Sequence, residues 1–394
     1  EALTSAGGAA TANGASSAGT SIDITGVASA DLSFVWVHKQ RLWFVEGDTL
    51  NAWYLPVNAI GGAAVKFPLS GIFRLGGDLL FGGTWSVDSG DGLDDLMVFV
   101  STEGEIAVYQ GTDPATAATW ALAGVYRIGR PLNKNSWFRA GSDFFILTEE
   151  GIVAVSEALN QDRAQIQSSA LTNPIEELWR ETMAARLPAD KFPVAVWPSD
   201  SFVFIGAPST TSQDTALVVN ARSGAWSRVL GWDMNTARVF NDRLYFATVA
   251  GTVFEGDAGG TDNGVGYAGR YVPKFQDFGA PDDKFALHAR AMWRGDVPIR
   301  VRLDCYSNYV VPDTINLPTA IPESTASVWG DGTVWGDGTV WGAASQSVAG
   351  SEWQSVTGSG YALAPCLTVY CDRVADPVFE ITAMQLRFEV GSAI

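Results

Sequence analysis

Histidine and cysteine are scarce in this chain, and most of the catalytic and metal-binding repertoire is scarce with them. Two histidines, His38 and His288, stand far apart among 394 residues. No HExxH helix, GxSxG elbow or GxxxxGK[ST] phosphate loop occurs. His38 lies in VHKQRL, which reads as a turn, where a lone histidine is expected to be solvated. The three cysteines, Cys305, Cys366 and Cys371, are too few for a disulfide framework and lack the CxxC spacing of a zinc site. Cys366 and Cys371 flank LTVY and are candidates to meet across a turn. Buried free thiols are the preferred reading, consistent with folding in a reducing cytoplasm.

Charge is also thin, and positive charge thinnest. Asp, Glu, Lys and Arg make up 17% of the chain, against a typical ~25%. There are 25 Lys and Arg against 43 Asp and Glu, a net charge of −18. Tight DNA binding needs basic side chains to neutralise phosphates, so this composition argues against it. A wall past which DNA slides without specific binding is compatible with the acidity, and so is simple solubility. No apolar run reaches the ~18 residues of a spanning helix, so no membrane span is expected. No signal-peptide pattern is present either. The first residue is Glu1 rather than Met, and further sequence upstream is expected.

Glycine, tryptophan and short apolar runs are what the chain has in quantity: 42 Gly, 15 Trp and an apolar fraction of 47%. Many turns and many large rings, with few Lys and Glu to coat helices, point to an all-β protein of two to three domains. Residues 1–21 are almost wholly Ala, Gly, Ser and Thr, and 1–30 reads as a low-complexity linker or arm. Beyond it, apolar strand, x-Gly turn and apolar strand recur. Hairpins are expected about Gly47-Asp48, Glu103-Gly104, Glu150-Gly151, Pro198-Ser199-Asp200, Ser223-Gly224 and Ala250-Gly251. From Arg41 to Asp257 the units recur about every 40–50 residues, the spacing of propeller blades. The fold class expected over 31–263 is therefore a β-propeller-like domain of antiparallel hairpins, with five blades as the central estimate. A β-sandwich made of the same hairpins is the competitor.

One helix interrupts the pattern near 174–187. Asn173 can cap it, Pro174 suits its first position, and Glu176 and Glu177 complement the helix dipole. Ile175, Leu178, Trp179 and Met183 share one face, expected to pack on its own blade. Residues 264–394 read as a second, β-sandwich-like domain closed by CLTVYCD and FEITAMQLRFEVG. Within it lies VWGDGTVWGDGTVWG (328–342), a six-residue repeat read as an extended loop or a subunit contact, with a glycan surface as the weaker reading.

The sharpest local candidate for chemistry is WSVDSGDGLDD (85–95). Asp88, Asp91 and Asp94, with Asp95, sit among glycines as oxygen ligands for a structural calcium, the one cofactor candidate. The EF-hand glutamate and helices are missing, and an acidic hairpin loop with Asx turns explains the same residues. The run also resembles a sialidase Asp-box through Ser86, Asp88 and Gly90, although Leu93 replaces the aromatic and only one copy exists. Two carboxylates suffice for a glycosidase, but doublets such as Asp94-Asp95 and Asp282-Asp283 read as solvated loop tips. No catalytic residue is assigned.

Longer runs carry a family resemblance. RLWFVE (41–46), AWYLP (52–56), GGAAVKFPL (61–69), GGTWSVDSGDGLDD (82–95), VFVSTEGEIAVYQGTDP (98–114), GVYRIGRPL (124–132), ILTEEGIVAVS (146–156) and ITAMQLRFEVG (381–391) together resemble phage and prophage virion proteins. The kind is the nozzle, or tail tubular protein B-like, component of short-tailed phages. The match is good over about 35–160 and looser elsewhere. The resemblance implies a non-enzymatic homo-oligomer in the virion tail, usually a six-fold ring below the head-to-tail adaptor. It implies propellers around a DNA channel and anchorage for tail fibres. The alternative is a tailspike or receptor-binding fibre that binds or hydrolyses a glycan.

Overall fold

The computed structural model describes residues 5–6, 9–10, 23–88, 93–141, 143–160, 169–187, 191–207, 215–280, 282–295, 299–318, 348–372 and 378–391. It is an almost entirely antiparallel β protein. The chain divides into two compact units, Glu1–Gly256 and Asp257–Ile394, a few residues before the change of texture at 263.

Five successive antiparallel sheets form the body of the first unit, beside two two-residue pairings, Ser5–Ala6 with Ala9–Ala10 and, in parallel, Ile24–Thr25 with Gly62–Ala63. The first holds β1 (Leu32–His38), β2 (Arg41–Glu46), β3 (Asn51–Tyr54) and β4 (Val65–Pro68). The second holds β5 (Leu79–Asp88), β6 (Leu93–Ser101), β7 (Glu105–Gly111) and β8 (Trp120–Arg127). The third has β9 (Trp137–Ala140), β10 (Asp143–Thr148) and β11 (Gly151–Ala154). The fourth has β12 (Val194–Trp197), β13 (Phe202–Ala207), β14 (Thr215–Asn220) and β15 (Trp226–Leu230). The fifth has β16 (Thr236–Phe240), β17 (Arg243–Ala247) and β18 (Val253–Gly256). Each of these five sheets is a meander in sequence order, and the six hairpins expected from turn signals are present, while others, such as those at Lys39-Gln40 and Asn241-Asp242, turn without glycine. The first strand of one sheet packs against the first or second strand of the next, the propeller-like arrangement.

Alternation of side chains across each strand explains why the sheets stack. In β6, Met97 and Phe99 enter a core shared with the first sheet, while Val98 and Val100 enter a core shared with the third. In β13, Val203 and Ile205 face the third sheet and Phe204 faces the fifth. A strand buried on both sides must be apolar at every position, hence the unbroken LMVFV and FVFI runs. Four buried clusters each seal one junction between successive sheets, and none of them contains residues of both the first and the fifth. Gly82 and Gly83 mark how close the sheets come. A Cβ on Gly82 would stand 2.4 Å from the Trp36 ring, and one on Gly83 would stand 2.9 Å from the Phe144 ring.

Several local expectations need correction. The helix expected near 174–187 begins as a 3-10 turn, Asn173–Ile175, and continues as an α-helix, Glu176–Ala185. Asn173 lies inside that turn and does not cap it; Thr172 precedes it and makes no side-chain cap bond. Trp179 anchors the helix in the core between sheets three and four, its indole N–H donating to the Thr148 carbonyl at 3.2 Å. A further short helix, Val155–Asn160, replaces the end of the strand read into GIVAVS. Val155 and Ala158 are buried against sheets two and three, so the apolar residues that suggested a strand serve a helix face instead.

The second unit holds two packed sheets. One orders β19 (Tyr267–Tyr271), β25 (Leu363–Cys371) and β21 (Arg300–Ser307). The other is built on β20 (Lys284–Gly295), which pairs with β22 (Val348–Gly350), β23 (Trp353–Ser355) and β24 (Ser359–Gly360) on one edge. On its other edge it pairs with β26 (Phe379–Val390). Cys366 and Cys371 both lie in β25, an odd number of residues apart on one extended strand, so they point to opposite faces and cannot pair. All three cysteines are free and buried. The VWGDGT repeat at 328–342 and most of the 1–30 arm lie outside the described residues.

Candidate functional site

The densest polar chemistry of the first unit lies where its first two sheets meet. Lys39 and Gln40, at φ 44° and 62°, form the two-residue turn between β1 and β2, with the positive φ values of a type I′ hairpin. His38, the last residue of β1, is therefore not in the turn. It continues the Phe34–Trp36 face into the core and is 2% exposed, against the expectation of a solvated ring. Its Nδ1 lies 3.0 Å from Thr84 Oγ1. The Thr84 hydroxyl donates to the Val37 carbonyl at 3.1 Å, so His38 Nδ1–H is the donor of the pair and Nε2 carries the lone pair. That Nε2 is buried without a hydrogen-bond partner, as are Trp43 Nε1, Trp120 Nε1 and Arg41 Nε.

Burial lowers the His38 pKa from 6.5 to about 4, with Lys39 and Arg139 adding to the shift and Asp95 opposing it. The ring is thus neutral near pH 7 and meets the Trp120 ring edge-on at 6.1 Å. The hydroxyl bonded to it has committed its proton to a carbonyl, so His38 has no nucleophile to activate there. Around it, Lys39 donates to the Gly111 carbonyl at 2.8 Å and Arg41 pairs with Asp113 at 3.0 Å. Arg139 donates to the Thr84 carbonyl. The arrangement ties sheet one to sheet two and reaches toward sheet three.

Of the cation candidates, Asp91 lies outside the described residues, as do the side chains of Asp88 and Asp94. Their backbones end β5 and begin β6, and Leu93 pairs with Asp88. Asp95 is used inside the ladder: Ser86 Oγ donates to it at 2.6 Å across the β5–β6 pair. The Ser86 of the Asp-box likeness is therefore engaged with a neighbouring strand. Among the described residues no group of three or more His, Cys, Asp or Glu is placed to hold a metal ion. His288 is exposed on β20, opposite Arg387 and Ser355.

The second unit has an open groove of about 570 Å3. One wall is the segment around Tyr271, Lys274, Gln276 and Phe278, and the other is β26 through Ile381, Met384 and Leu386. It lies along β26, which among the described residues pairs only with β20. Sequence reading missed it because its walls come from three separated stretches of chain. The Cys305 and Cys366 thiols are buried away from reactivity, and burial pushes the Cys305 pKa up to about 11.

No protein-family profile and no curated protein sequence matches the chain. Solved structures give faint likenesses. Raptor of Chaetomium thermophilum aligns at 11% identity and TM-score 0.32, over 55% of this chain and 19% of that one. This chain thus spans about a fifth of the Raptor chain's length. A putative 6-phosphogluconolactonase of Bacteroides uniformis aligns at 10% and 0.32, over 56% of this chain and 68% of that one. The fission yeast SREBP-SCAP binding domains align at 11% and 0.29, over 56% and 60%. At such scores these likenesses carry no functional argument. Among the described residues no helix is long and apolar enough to cross a membrane.

Proposed function

We propose that this chain is a structural subunit of a phage tail, a nozzle component that forms a ring-shaped channel for genome retention and ejection. Its partners would be further copies of itself, the head-to-tail adaptor and tail fibres. The observation that carries the reading is the pair of end sheets, each with an outer face that is only partly covered. The four cores bury the middle sheets on both faces, while sheet one leaves Val35 54% and Val37 61% exposed and sheet five leaves Phe240 75% and Val253 65% exposed. Two different faces with exposed apolar side chains on one subunit, the one on sheet five interspersed with Arg238, Arg243 and Glu255, favour head-to-tail association, which closes into a ring when the rotation permits. The net charge of −18 suits a lumen that repels the DNA backbone instead of holding it.

Support also comes from where the family-like runs lie. RLWFVE is β2, AWYLP contains most of β3, and VFVSTEGEIAVYQG spans β6 and β7, all strands of the first two sheets. Negative-stain images of the purified chain test the proposal. A closed six-fold ring with an axial hole is the expected result. A trimeric spike, or loss of host capsule polysaccharide on incubation with the protein, overturns it in favour of a tailspike.

A further inference from the structure

The second unit carries a surface that the nozzle reading does not use. β26 is 12 residues long and hydrogen-bonds to one neighbour only, the longest single-sided strand among the described residues. Its core-facing residues, Phe379, Ile381, Met384, Leu386 and Phe388, are only partly buried. Three of them line the open groove. Such edges are usually blunted by proline, by a charge pointing inward or by a short length. This one has no proline, and its core-facing side is wholly apolar. Its opposite side carries Glu380, Gln385, Arg387 and Glu389.

We propose that β26 pairs antiparallel with β26 of a second copy, across a two-fold axis at Met384. The strand is self-complementary about that point. Its register against β20 runs Met384–Ala291, Ala383–Met292 and Ile381–Trp293, so Thr382 is the extra residue of a β-bulge. In the dimer the bulged pair Thr382–Ala383 stands opposite the partner's Gln385, which restores the alternation on both sides of the axis. Met384 then meets its own copy, Ile381 meets Leu386, and Phe379 meets Phe388, all on the core side. On the outer side Glu380 meets Arg387, twice by symmetry. Opposite residues of an antiparallel pair share a face, and opposite charges there stabilise while like charges destabilise. Moving the axis to Gln385 sets Glu380 against Glu389, so charge selects the Met384 register over its neighbour.

The surrounding structure suits this contact. Arg387 lies over the Trp353 ring at 4.3 Å, reaching back across β20, so pairing with a second copy requires its guanidinium to turn to the free edge. Glu380 bonds Arg294 at 2.5 Å and would sit between two guanidinium groups in the dimer. The groove beneath gives the second strand's Ile381, Met384 and Leu386 an apolar wall to cover.

The test uses the full chain and its mass in solution, by mass photometry or sedimentation. This contact alone gives two copies; combined with a six-fold ring it joins rings back to back into twelve. Glu380→Arg is expected to halve the mass and weaken association at least about tenfold, with Arg387→Glu doing the same. The double reversal, Glu380→Arg with Arg387→Glu, should restore it. Met384→Cys should give an intermolecular disulfide under copper–phenanthroline, since the native thiols are buried. A wild-type chain that stays single-copy overturns the proposal. So do folded charge variants of unchanged mass, or a double reversal that stays dissociated. A six-copy ring indifferent to these variants removes this contact and leaves the nozzle reading standing; a dimer that responds to them does the reverse.

Discussion

Trp43, Phe81, Phe99 and Phe144, all in the blade array, are closed off from water, whereas in the second unit the large residues of β26 are only half-covered. The contrast follows from how each core is built. In the array a sheet lies between two others, so both of its faces are sealed, and glycines such as Gly82 admit a ring from the neighbour. In the second unit one core is shared by two sheets. β20 contributes small residues to it, Ala286, Ala289 and Ala291, while β26 contributes the large ones at an open edge. A finished core encodes rigidity and an unfinished one encodes association. The first unit is thus a stack sealed at each internal junction, while the second leaves β26 paired on one side among the described residues.

Truncating a sealed ring should break the array most severely. Trp43 touches Trp36, Tyr54, Phe67, Phe99 and Trp120, and Trp43→Ala is expected to cost about 3–5 kcal/mol. Met384→Ala, on the half-open strand, is expected to cost about 1 kcal/mol. Hydrogen exchange read separately in the two units measures both. Equal losses would remove the distinction between a closed and an open core.

Acid separates the units next. The folded pKa of His38, about 4, is below the unfolded value of 6.5. Between these values the unfolded chain takes up a proton that the folded chain refuses. The stability contributed by the neutral ring is therefore full above pH 6.5, declines as pH falls, and is gone near pH 4. A shift of this size corresponds to about 3 kcal/mol, taken as an order of magnitude. Urea titrations of wild type and His38→Gln should show this slope in the first unit for wild type and a flatter one for the variant. A slope unchanged by the substitution would assign acid sensitivity to other groups.

Lys284 offers a third contrast, because it is the large charged side chain sealed inside the less finished unit. Its ammonium donates to the carbonyls of Ala280, Asp282 and Tyr361 at 2.6, 2.9 and 2.8 Å. Lys284→Met keeps the stem and leaves three carbonyls without that donor, at an expected cost of about 2 kcal/mol. Thermal unfolding followed by exchange in 257–394 measures it. No loss would mean that water replaces the ammonium.

How much of this was legible in the sequence depended on the range of the interaction. Hairpin turns are local, and turn signals such as Glu103-Gly104 and Ser223-Gly224 placed six of them and the repeated-hairpin class, while the Asn241-Asp242 turn went unread. Full burial of the middle sheets was written in runs such as LMVFV. His38 was misread because HKQR looks like a turn, although its two-residue spacing from Phe34 and Trp36 was the available signal for an inward ring. The preferred reading of Cys366 and Cys371 as buried free thiols holds, and the alternative of a meeting across a turn fails because CLTVYCD, already read as a strand, places them on opposite faces. The helix at Val155–Asn160 was hidden by β-branched residues that tertiary packing turned to a helical face. The groove could not be read at all: Tyr271, Leu363 and Ile381 meet only through the pairing of sheets. The Asp88, Asp91 and Asp94 loop stays a sequence-level candidate.

The smallest expected change in stability belongs to the faces at the ends of the array. Phe240 is the most exposed large residue there, at 75%, and sits on the outer face of sheet five opposite Arg243. Phe240→Asp removes almost no buried area, so the folded unit should change by no more than about 0.5 kcal/mol. If the end sheets meet head to tail between copies, the same substitution places a charge in an apolar contact and should dissociate the ring. Denaturation midpoint and copy number, measured on one sample, therefore move independently. A lost ring with an unchanged midpoint makes Phe240 an interface residue. An intact ring confines association to other faces, β26 among them, and the contrast between a closed array and an open edge then becomes sharper.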